Sequence, residues 1–428
     1  MEISLQQSKP LQGEVRVAPD KSISHRALIM GALAYGETLV RNFLNAADTI
    51  STCRCLRQLG VDIQEEGDLL RVRGRGRESL VEASKVLYCG NSGTTMRLLS
   101  GLVASLPFCS LLTGDESLNG RPMKRIIEPL RLMGAEINGR EDDTFPPLSI
   151  TGRILQGIDY TLPVASAQVK SAILLAALGA GESTRVIEPQ LTRNHTERML
   201  AAMGADLQIN GAEITITPGK QLLPQEFQVP GDFSSAAFFI VAGLLVPGSE
   251  LCLRDVGLNP TRSGLLPILE KMGGNIHVEN RRLIGGEEIA DLVVGSSQLR
   301  GIEAGGEEAG ILIDEIPILA VAMAAAQGQS SVRGAGELRV KESDRIRAIY
   351  LGLRAMGVDI TELEDGFVIN GNGKRINGAR VNSYGDHRIA MSLAVAGLIA
   401  PTETVIEGAE AVNISFPEFW KLLKTLQR

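Results

Sequence analysis

LRLMGAEI, residues Leu130–Ile137, reads as the end of an amphipathic helix, a glycine at its C-terminal turn and the start of an alternating strand. The pattern returns as LRQLGVDI from Leu56, LAAMGADL from Leu200, LEKMGGNI from Leu269 and LRAMGVDI from Leu353. The last helix, PEFWKLLKTL from Pro417, fits as a sixth copy cut off before its glycine. A second motif interleaves with the first: a small-residue apolar helix that runs into a short Thr/Val-rich strand. HRALIMGALAYGETLVRN from His25, VKSAILLAALGAGESTRVIEP from Val169 and IPILAVAMAAAQGQSSVRGA from Ile316 are copies. The two motifs alternate with a period of about 70 residues, too long for a typical solenoid. The repeating unit is a small α/β subdomain of two helices and about four strands.

Helices such as VKSAILLAALGA are apolar nearly all round, so they are buried on most sides. Three such units, with parallel helices inside and sheets outside, make one domain, and six make two. The expected fold class is therefore α/β (α+β), an inside-out α/β barrel used twice. A chain of 428 residues also exceeds what one core usually serves. The cut falls at Val229-Pro230-Gly231, giving domains of residues 19–229 and 230–428.

Composition narrows the function. A net charge of −7 with only 4% aromatic residues argues against a protein that mainly binds nucleic acid. Apolar runs such as Ala236–Val246 and Ile316–Ala326 are too short to span a bilayer, and the N-terminus has no signal-peptide core. Five cysteines without a CxxC pair read as reduced thiols in a cytoplasm. Cys53 and Cys55 point to different faces of one helix, and no HExxH occurs, so no metal centre is expected. With no GxxxxGK[ST], no GxGxxG between strand and helix and no GxSxG, the chemistry should use neither ATP nor NAD. Gly371-Asn372-Gly373-Lys374 reads instead as a hairpin turn.

Polar and cationic residues gather where helices start. Capping is the alternative reading for Asp232, Ser234 and Thr261. It does not explain Lys21, Arg26, Arg121, Arg193, Arg262, Lys341, Arg345 and Arg388. A cation in a first turn opposes the helix dipole at a cost of a few tenths to about 1 kcal/mol. Anions bound there would reverse that penalty. Parallel helices aim their N-termini one way, so two domains with those faces opposed would enclose a positive cleft. Such a cleft suits small ligands bearing phosphate and carboxylate.

DKSISHRAL, CGNSGTTMRL, TGDESLNGRPM, SAQVKSA, NPTR, IDEIP, KESDRIRA and YGDHRIAMS follow one another between Asp20 and Phe416. In that order they resemble the signature segments of the enolpyruvyl transferase family. The resemblance implies two domains of three α/β units each, residues 1–18 completing the second, with the active site in the cleft. It also implies transfer of the enolpyruvyl group of phosphoenolpyruvate to the 5-hydroxyl of shikimate 3-phosphate, releasing phosphate. That is a shikimate-pathway step towards chorismate and the aromatic amino acids, run without a cofactor or metal by a cytoplasmic monomer.

By motif, Lys21, Ser22 and Arg26 resemble the segment touching both substrates, and Lys21 is also counted with the catalytic residues. Ser166, Ala167 and Gln168 resemble the shikimate-phosphate clamp, with Lys341 and Asp314 reaching the same ligand. Gly93, Arg121, Gln168, Arg345 and Arg388 resemble the phosphoenolpyruvate pocket. Asp314 resembles the general base and Glu342 a carboxyl group in proton transfer to the enol methylene; the alternative for Asp314 is an N-cap of the helix from Ile316.

Three positions depart from the family pattern. Ala18-Pro19 replaces Pro-Gly, Ile414 stands where one branch has lysine, and Leu98 where the herbicide-sensitive branch has proline. With SAQVK, NPTR and RNHTE (Arg193–Glu197), this resembles a second, often glyphosate-tolerant class. Two other functions compete. The sister branch acting on UDP-N-acetylglucosamine carries a cysteine before Arg-Pro, whereas Gly114–Gly120 has none. A six-repeat DNA clamp, a non-enzymatic scaffold, needs basic helices around its hole, and these are rich in Ala and Leu.

Overall fold

In the computed structural model, which describes residues 1–306, 309–373 and 376–427, all five glycine motifs close a helix in the same way. Gly60, Gly134, Gly204, Gly273 and Gly357 have φ of 88°, 100°, 83°, 92° and 81°, a region that costs other residues strain. The residue after each glycine then donates its N–H to the carbonyl of the motif's first leucine. Val61 to Leu56 (3.1 Å), Ala135 to Leu130 (3.0 Å), Ala205 to Leu200 (3.0 Å), Gly274 to Leu269 (2.8 Å) and Val358 to Leu353 (3.0 Å) are these bonds. This is the six-to-one closure of a Schellman turn, and it aims the chain straight into a strand.

The chain divides into two compact units: Pro19–Val229 with Leu283–Glu287, and Met1–Ala18 with Pro230–Arg282 and Glu288–Arg428. The helices of the first are α1 (Lys21–Leu33), α2 (Ala47–Gln58), α3 (Gly93–Ala104), α4 (Glu116–Asn119), α5 (Lys124–Leu132), the single turn α6 (Arg140–Asp143), α7 (Ala167–Ala177) and α8 (His195–Ala202). Its three sheets share one topology, a parallel pair followed by two antiparallel steps. In spatial order the strands are Glu226–Gln228, Tyr35–Arg41, Leu69–Arg75 and Asp62–Glu66 in the first sheet. The second runs Leu87–Tyr88, Cys109–Thr113, Phe145–Thr151 and Glu136–Gly139. The third runs Asp159–Thr161, Thr184–Ile187, Glu213–Thr217 and Asp206–Asn210. α1, α3 and α7 fill the core, and every residue of α7 from Val169 to Ala177 is buried. Gly101 lets α3 meet α7, since a Cβ there would fall 2.1 Å from the Ala172 carbonyl oxygen.

The other unit repeats the plan with α9 (Phe233–Leu245), α10 (Leu265–Lys271), α11 (Ala309–Leu312), α12 (Ile316–Ala325), α13 (Arg345–Ala355), α14 (His387–Leu398) and α15 (Phe419–Leu426). α9, α12 and α14 are its core helices. Two of its sheets have the same four-strand topology. The last has three strands, Arg380–Asn382, Thr404–Glu407 and the N-terminal Glu2–Leu5, which takes the third place antiparallel. Phe416 packs edge-on against Phe239 of α9 and Phe419 against Phe238, and Trp420 packs edge-on against Phe419.

Gly371 and Asn372, expected to open a hairpin turn, do not do so. Gly371 and Asn372 are the end of a strand, opposite Gly328 and Gln327, and the next strand belongs to another sheet. The glycine serves a crossing: a Cβ at Gly371 would lie 2.3 Å from the carbonyl oxygen of Ala326, the C-cap of α12. Lys374 lies outside the described residues. Among the described residues, no helix is long and apolar enough to cross a membrane.

Candidate active site

In the unit of residues 19–229, side-chain caps start all three core helices. Asp20 accepts from the Ile23 N–H at 2.8 Å, Ser92 from Thr95 at 3.1 Å and Ser166 from Val169 at 3.4 Å. Lys21 Nζ lies 3.3 Å from Asp48 Oδ2, in the first turn of α2. Arg26 is buried, donating Nε to Thr196 Oγ1 (2.7 Å), Nη2 to Ser171 Oγ (2.8 Å) and Nη1 to the Ser22 carbonyl (3.0 Å). The structure thus brings Lys21, Ser22 and Arg26 together on the first turns of α1.

A second group joins α3, α7 and the loop before α5. Gln168 accepts from Arg97 Nη1 at 2.6 Å and donates to Thr94 Oγ1 at 2.8 Å. Arg121 donates Nη2 to Asn91 Oδ1 at 2.6 Å and to Ser117 Oγ at 3.2 Å. Gly93 opens α3 between them: a Cβ there would lie 2.7 Å from Arg97 Nη1 and 3.7 Å from Arg121 Nη1. Gly93, Arg121 and Gln168 therefore gather in one cluster, with Arg97 added. Beneath them His25, Thr52, Thr95 and Ser92 form a buried chain of 2.7 Å contacts. Burial pushes His25 down to about 3, so its ring is neutral at working pH.

In the other unit the arginines are held by carboxylates. Asp314 accepts from Arg345 Nη1 at 3.2 Å, and its Oδ2 lies 3.6 Å from Arg388 Nη2 and 4.0 Å from Arg262 Nη1. Arg388 Nη1 also donates to the Asp314 carbonyl at 3.0 Å. Arg345, only 1% exposed, donates Nη2 to Glu342 at 2.6 Å and Nε to Asp386 at 2.8 Å. Arg262 reaches Asp232 Oδ1 at 3.0 Å and Ser234 Oγ at 2.8 Å, and Ser234 donates in turn to Glu315. Burial is the largest single influence on the Asp386 carboxyl and works to raise it, but Arg345 and His387 together leave the group below its ordinary value. Burial, with Arg345 beside it, lowers Arg388 from the usual arginine value.

Asp314 is not the N-cap residue of α12. The N-cap of α12 is Glu315, which makes no side-chain capping bond. Lys341 and Glu342 sit on the exposed approach to α13, the Glu342 side chain 32% exposed. The inference from unfavourably placed cations needs correcting in this unit, because the anions beside Arg262, Arg345 and Arg388 include the protein's own carboxylates. Lys170, in the first turns of α7, is wholly buried between Glu188 (2.8 Å) and Glu197 (2.6 Å). Sequence reading missed Asp48 and Arg97. Arg97 had a visible signal, a lone cation inside the apolar run TTMRLLSGLVA. Asp386 does cap α14 through the Arg388 N–H (2.8 Å), but it also holds Arg345.

The family model described as "EPSP synthase (3-phosphoshikimate 1-carboxyvinyltransferase)" matches residues 5–423. A 3-phosphoshikimate 1-carboxyvinyltransferase from Syntrophomonas wolfei is 60% identical over 418 residues, covering 98% of each chain. One from Geobacter sulfurreducens is 50% identical over 421 residues, again covering 98% of each. A solved EPSP synthase from Acinetobacter baumannii superposes with a TM-score of 0.92 at 46% identity, covering 99% of this chain and 98% of that one.

Proposed function

The chain belongs to the EPSP synthase family, and from that premise we propose which of its residues carry the reaction. The activity is transfer of the enolpyruvyl group of phosphoenolpyruvate to the 5-hydroxyl of shikimate 3-phosphate, with release of phosphate. The hydroxyl must lose a proton as its oxygen attacks, and the enol methylene must gain one. That proton leaves again when phosphate departs, so carboxyl groups are needed as well as cations.

Asp314 takes the hydroxyl proton in this reading, and Glu342 exchanges the proton at the methylene carbon. Arg345 and Arg388 hold phosphoenolpyruvate, as does Arg121 with Gly93 and Gln168 beside it. A guanidinium can grip carboxylate or phosphate with two parallel hydrogen bonds, and it stabilises charge on the departing phosphate. Lys21, Ser22, Arg26, Ser166, Ala167, Gln168 and Lys341 bind shikimate 3-phosphate, with Lys21 also touching phosphoenolpyruvate. The observation that carries the reading is Asp314 itself: a carboxylate among three guanidinium groups, one residue before the N-cap of α12.

We take the enzyme to be a cytoplasmic monomer, and its free cysteines suit a reducing compartment. A coupled phosphate-release assay tests the function. Release should require both shikimate 3-phosphate and phosphoenolpyruvate and should survive a metal chelator. Release with UDP-N-acetylglucosamine in place of shikimate 3-phosphate would overturn it.

A further inference from the structure

Among the described residues Lys170 is the one wholly buried lysine, and the proposed reaction gives it no task. Its backbone N–H donates to the carbonyl of Ser166 at 3.1 Å, closing the first turn of α7. Its ammonium sits 2.8 Å from Glu188, just past the strand Thr184–Ile187, and 2.6 Å from Glu197 in the first turn of α8. All three side chains are at most 2% exposed. Thr192 fastens the other Glu188 oxygen.

The residue after Lys170 and the residue before Glu197 make a second link. Ser171 Oγ lies 2.7 Å from Thr196 Oγ1, and the Arg26 guanidinium bonds to both hydroxyls. The two helices are thus joined by consecutive rungs, Lys170 to Glu197 and Ser171 to Thr196. Ser166–Gln168 lie one turn before the first rung, and Arg26 rests on the second.

We infer that Lys170, with Glu188 and Glu197, is a positioning unit that sets the first turn of α7 and the Arg26 guanidinium for binding the phosphorylated, carboxylated acceptor substrate. The inference rests on the roles proposed above for Ser166, Gln168 and Arg26. None of the three charged groups needs to touch the ligand. A buried ion pair of this kind fixes geometry, because either charge left alone in the interior is strongly disfavoured. Loosening the first rung frees α7 to shift against α8, and the second rung carries the shift to Arg26. Misplacing a binding group by about 1 Å is enough to cost ten-fold or more.

The test compares Glu197→Gln, which keeps the Lys170–Glu188 pair, with Lys170→Met/Glu197→Gln, which removes the rung without leaving Glu197 charged. Steady-state kinetics and calorimetric binding of shikimate 3-phosphate alone are measured on the full chain, with Arg26→Gln in parallel. The double variant should raise KM and Kd for shikimate 3-phosphate roughly ten-fold, leave the phosphoenolpyruvate KM within two-fold and lower Tm. Glu197→Gln should show a smaller rise in the same constant. A folded variant with a lower Tm but unchanged shikimate 3-phosphate affinity overturns the inference, as does an equal rise in both KM values. If the double variant does not fold, Glu197→Gln alone decides by the same split. Arg26→Gln separates the two claims: normal acceptor binding there sinks the proposed role of Arg26, whatever the Lys170 variants do.

Discussion

The two units use arginine differently at the starts of their helices. In residues 19–229, Arg26, Arg97 and Arg121 donate to hydroxyls, carbonyls and side-chain amides. In the other unit, Arg262, Arg345 and Arg388 point at Asp232, Asp314, Glu315, Glu342 and Asp386. A guanidinium held by neutral acceptors keeps its full charge for a ligand. One held by carboxylates is fixed in place and shares a network with groups able to accept a proton. The first arrangement suits gripping an anion, the second suits combining grip with acid–base work.

The largest expected effect follows from the second arrangement. Replacing Asp314 by Asn keeps size and an acceptor oxygen but removes the charge. Turnover should fall roughly 10²–10⁴-fold, the usual contribution of a positioned base, with shikimate 3-phosphate still bound. Because the N-cap of α12 is Glu315 rather than Asp314, Asp314→Asn and Asp314→Ala should melt within a few degrees of each other. Near-normal turnover in Asp314→Asn would make the carboxylate network structural and erase the contrast between the units.

A matched pair of variants sets the two arrangements side by side. Arg345→Met strands Glu342 and the buried Asp386, and breaking a buried pair from one side costs about 3–5 kcal/mol. Arg121→Met strands only neutral partners, so denaturant unfolding should move by about 1 kcal/mol or less. Its loss should appear in the phosphoenolpyruvate KM instead. Equal stability losses for the two would break the comparison.

Much of this was legible in the sequence. The glycine motif predicted the helix-to-strand turn because its chemistry is local: a left-handed residue and one six-to-one hydrogen bond, found five times. The α/β class and the repeats followed from that turn. What was not legible depends on partners far apart in the chain. The buried Lys170 cluster was not legible because nothing local reveals Glu188 and Glu197 closing over the lysine. Asp48 was passed over because an acid in a first turn is ordinary on dipole grounds. Gly371 looked like a turn because glycine pairs mark turns more often than strands crossing a helix end.

Acid should separate the units more gently. His25, in residues 19–229, is pushed down to about 3 by burial, against about 6.5 in an unfolded chain. Between those values the unfolded state binds the extra proton, so stability falls as pH drops, by up to about 1.4 kcal/mol per pH unit. Asp386, in the other unit, has its folded value depressed by Arg345 and His387 despite burial. Its contribution is present above the unfolded value of about 3.9 and is lost only as pH falls through the folded one. Urea unfolding between pH 7 and pH 4 should therefore show a slope that His25→Gln flattens. An unchanged slope in that variant would mean that the ring is not held neutral.

The smallest effect expected is that of Gly93→Ala, and it tests how firmly the neutral-partner cluster is held. Gly93 is the first residue of α3 with negative φ, so alanine costs nothing in backbone strain and gains helix propensity. Its new methyl group would meet Arg97 Nη1 at 2.7 Å, the movable end of a long side chain, and Arg121 Nη1 at an ordinary 3.7 Å. Arg97 must swing aside and give up its 2.6 Å bond to Gln168. The phosphoenolpyruvate KM should rise a few-fold, in line with the loss of about 1 kcal/mol for one hydrogen bond. Glyphosate, slightly longer than phosphoenolpyruvate, meets the methyl group as well, so its inhibition constant should rise considerably more. A cycle with Arg97→Ala separates the causes. If the rise in KM comes through Arg97, Gly93→Ala adds nothing further once Arg97 is gone, while the inhibitor still discriminates. If KM rises by the same factor in both backgrounds, the methyl group acts on the substrate directly, and Arg97 is a bystander in that cluster.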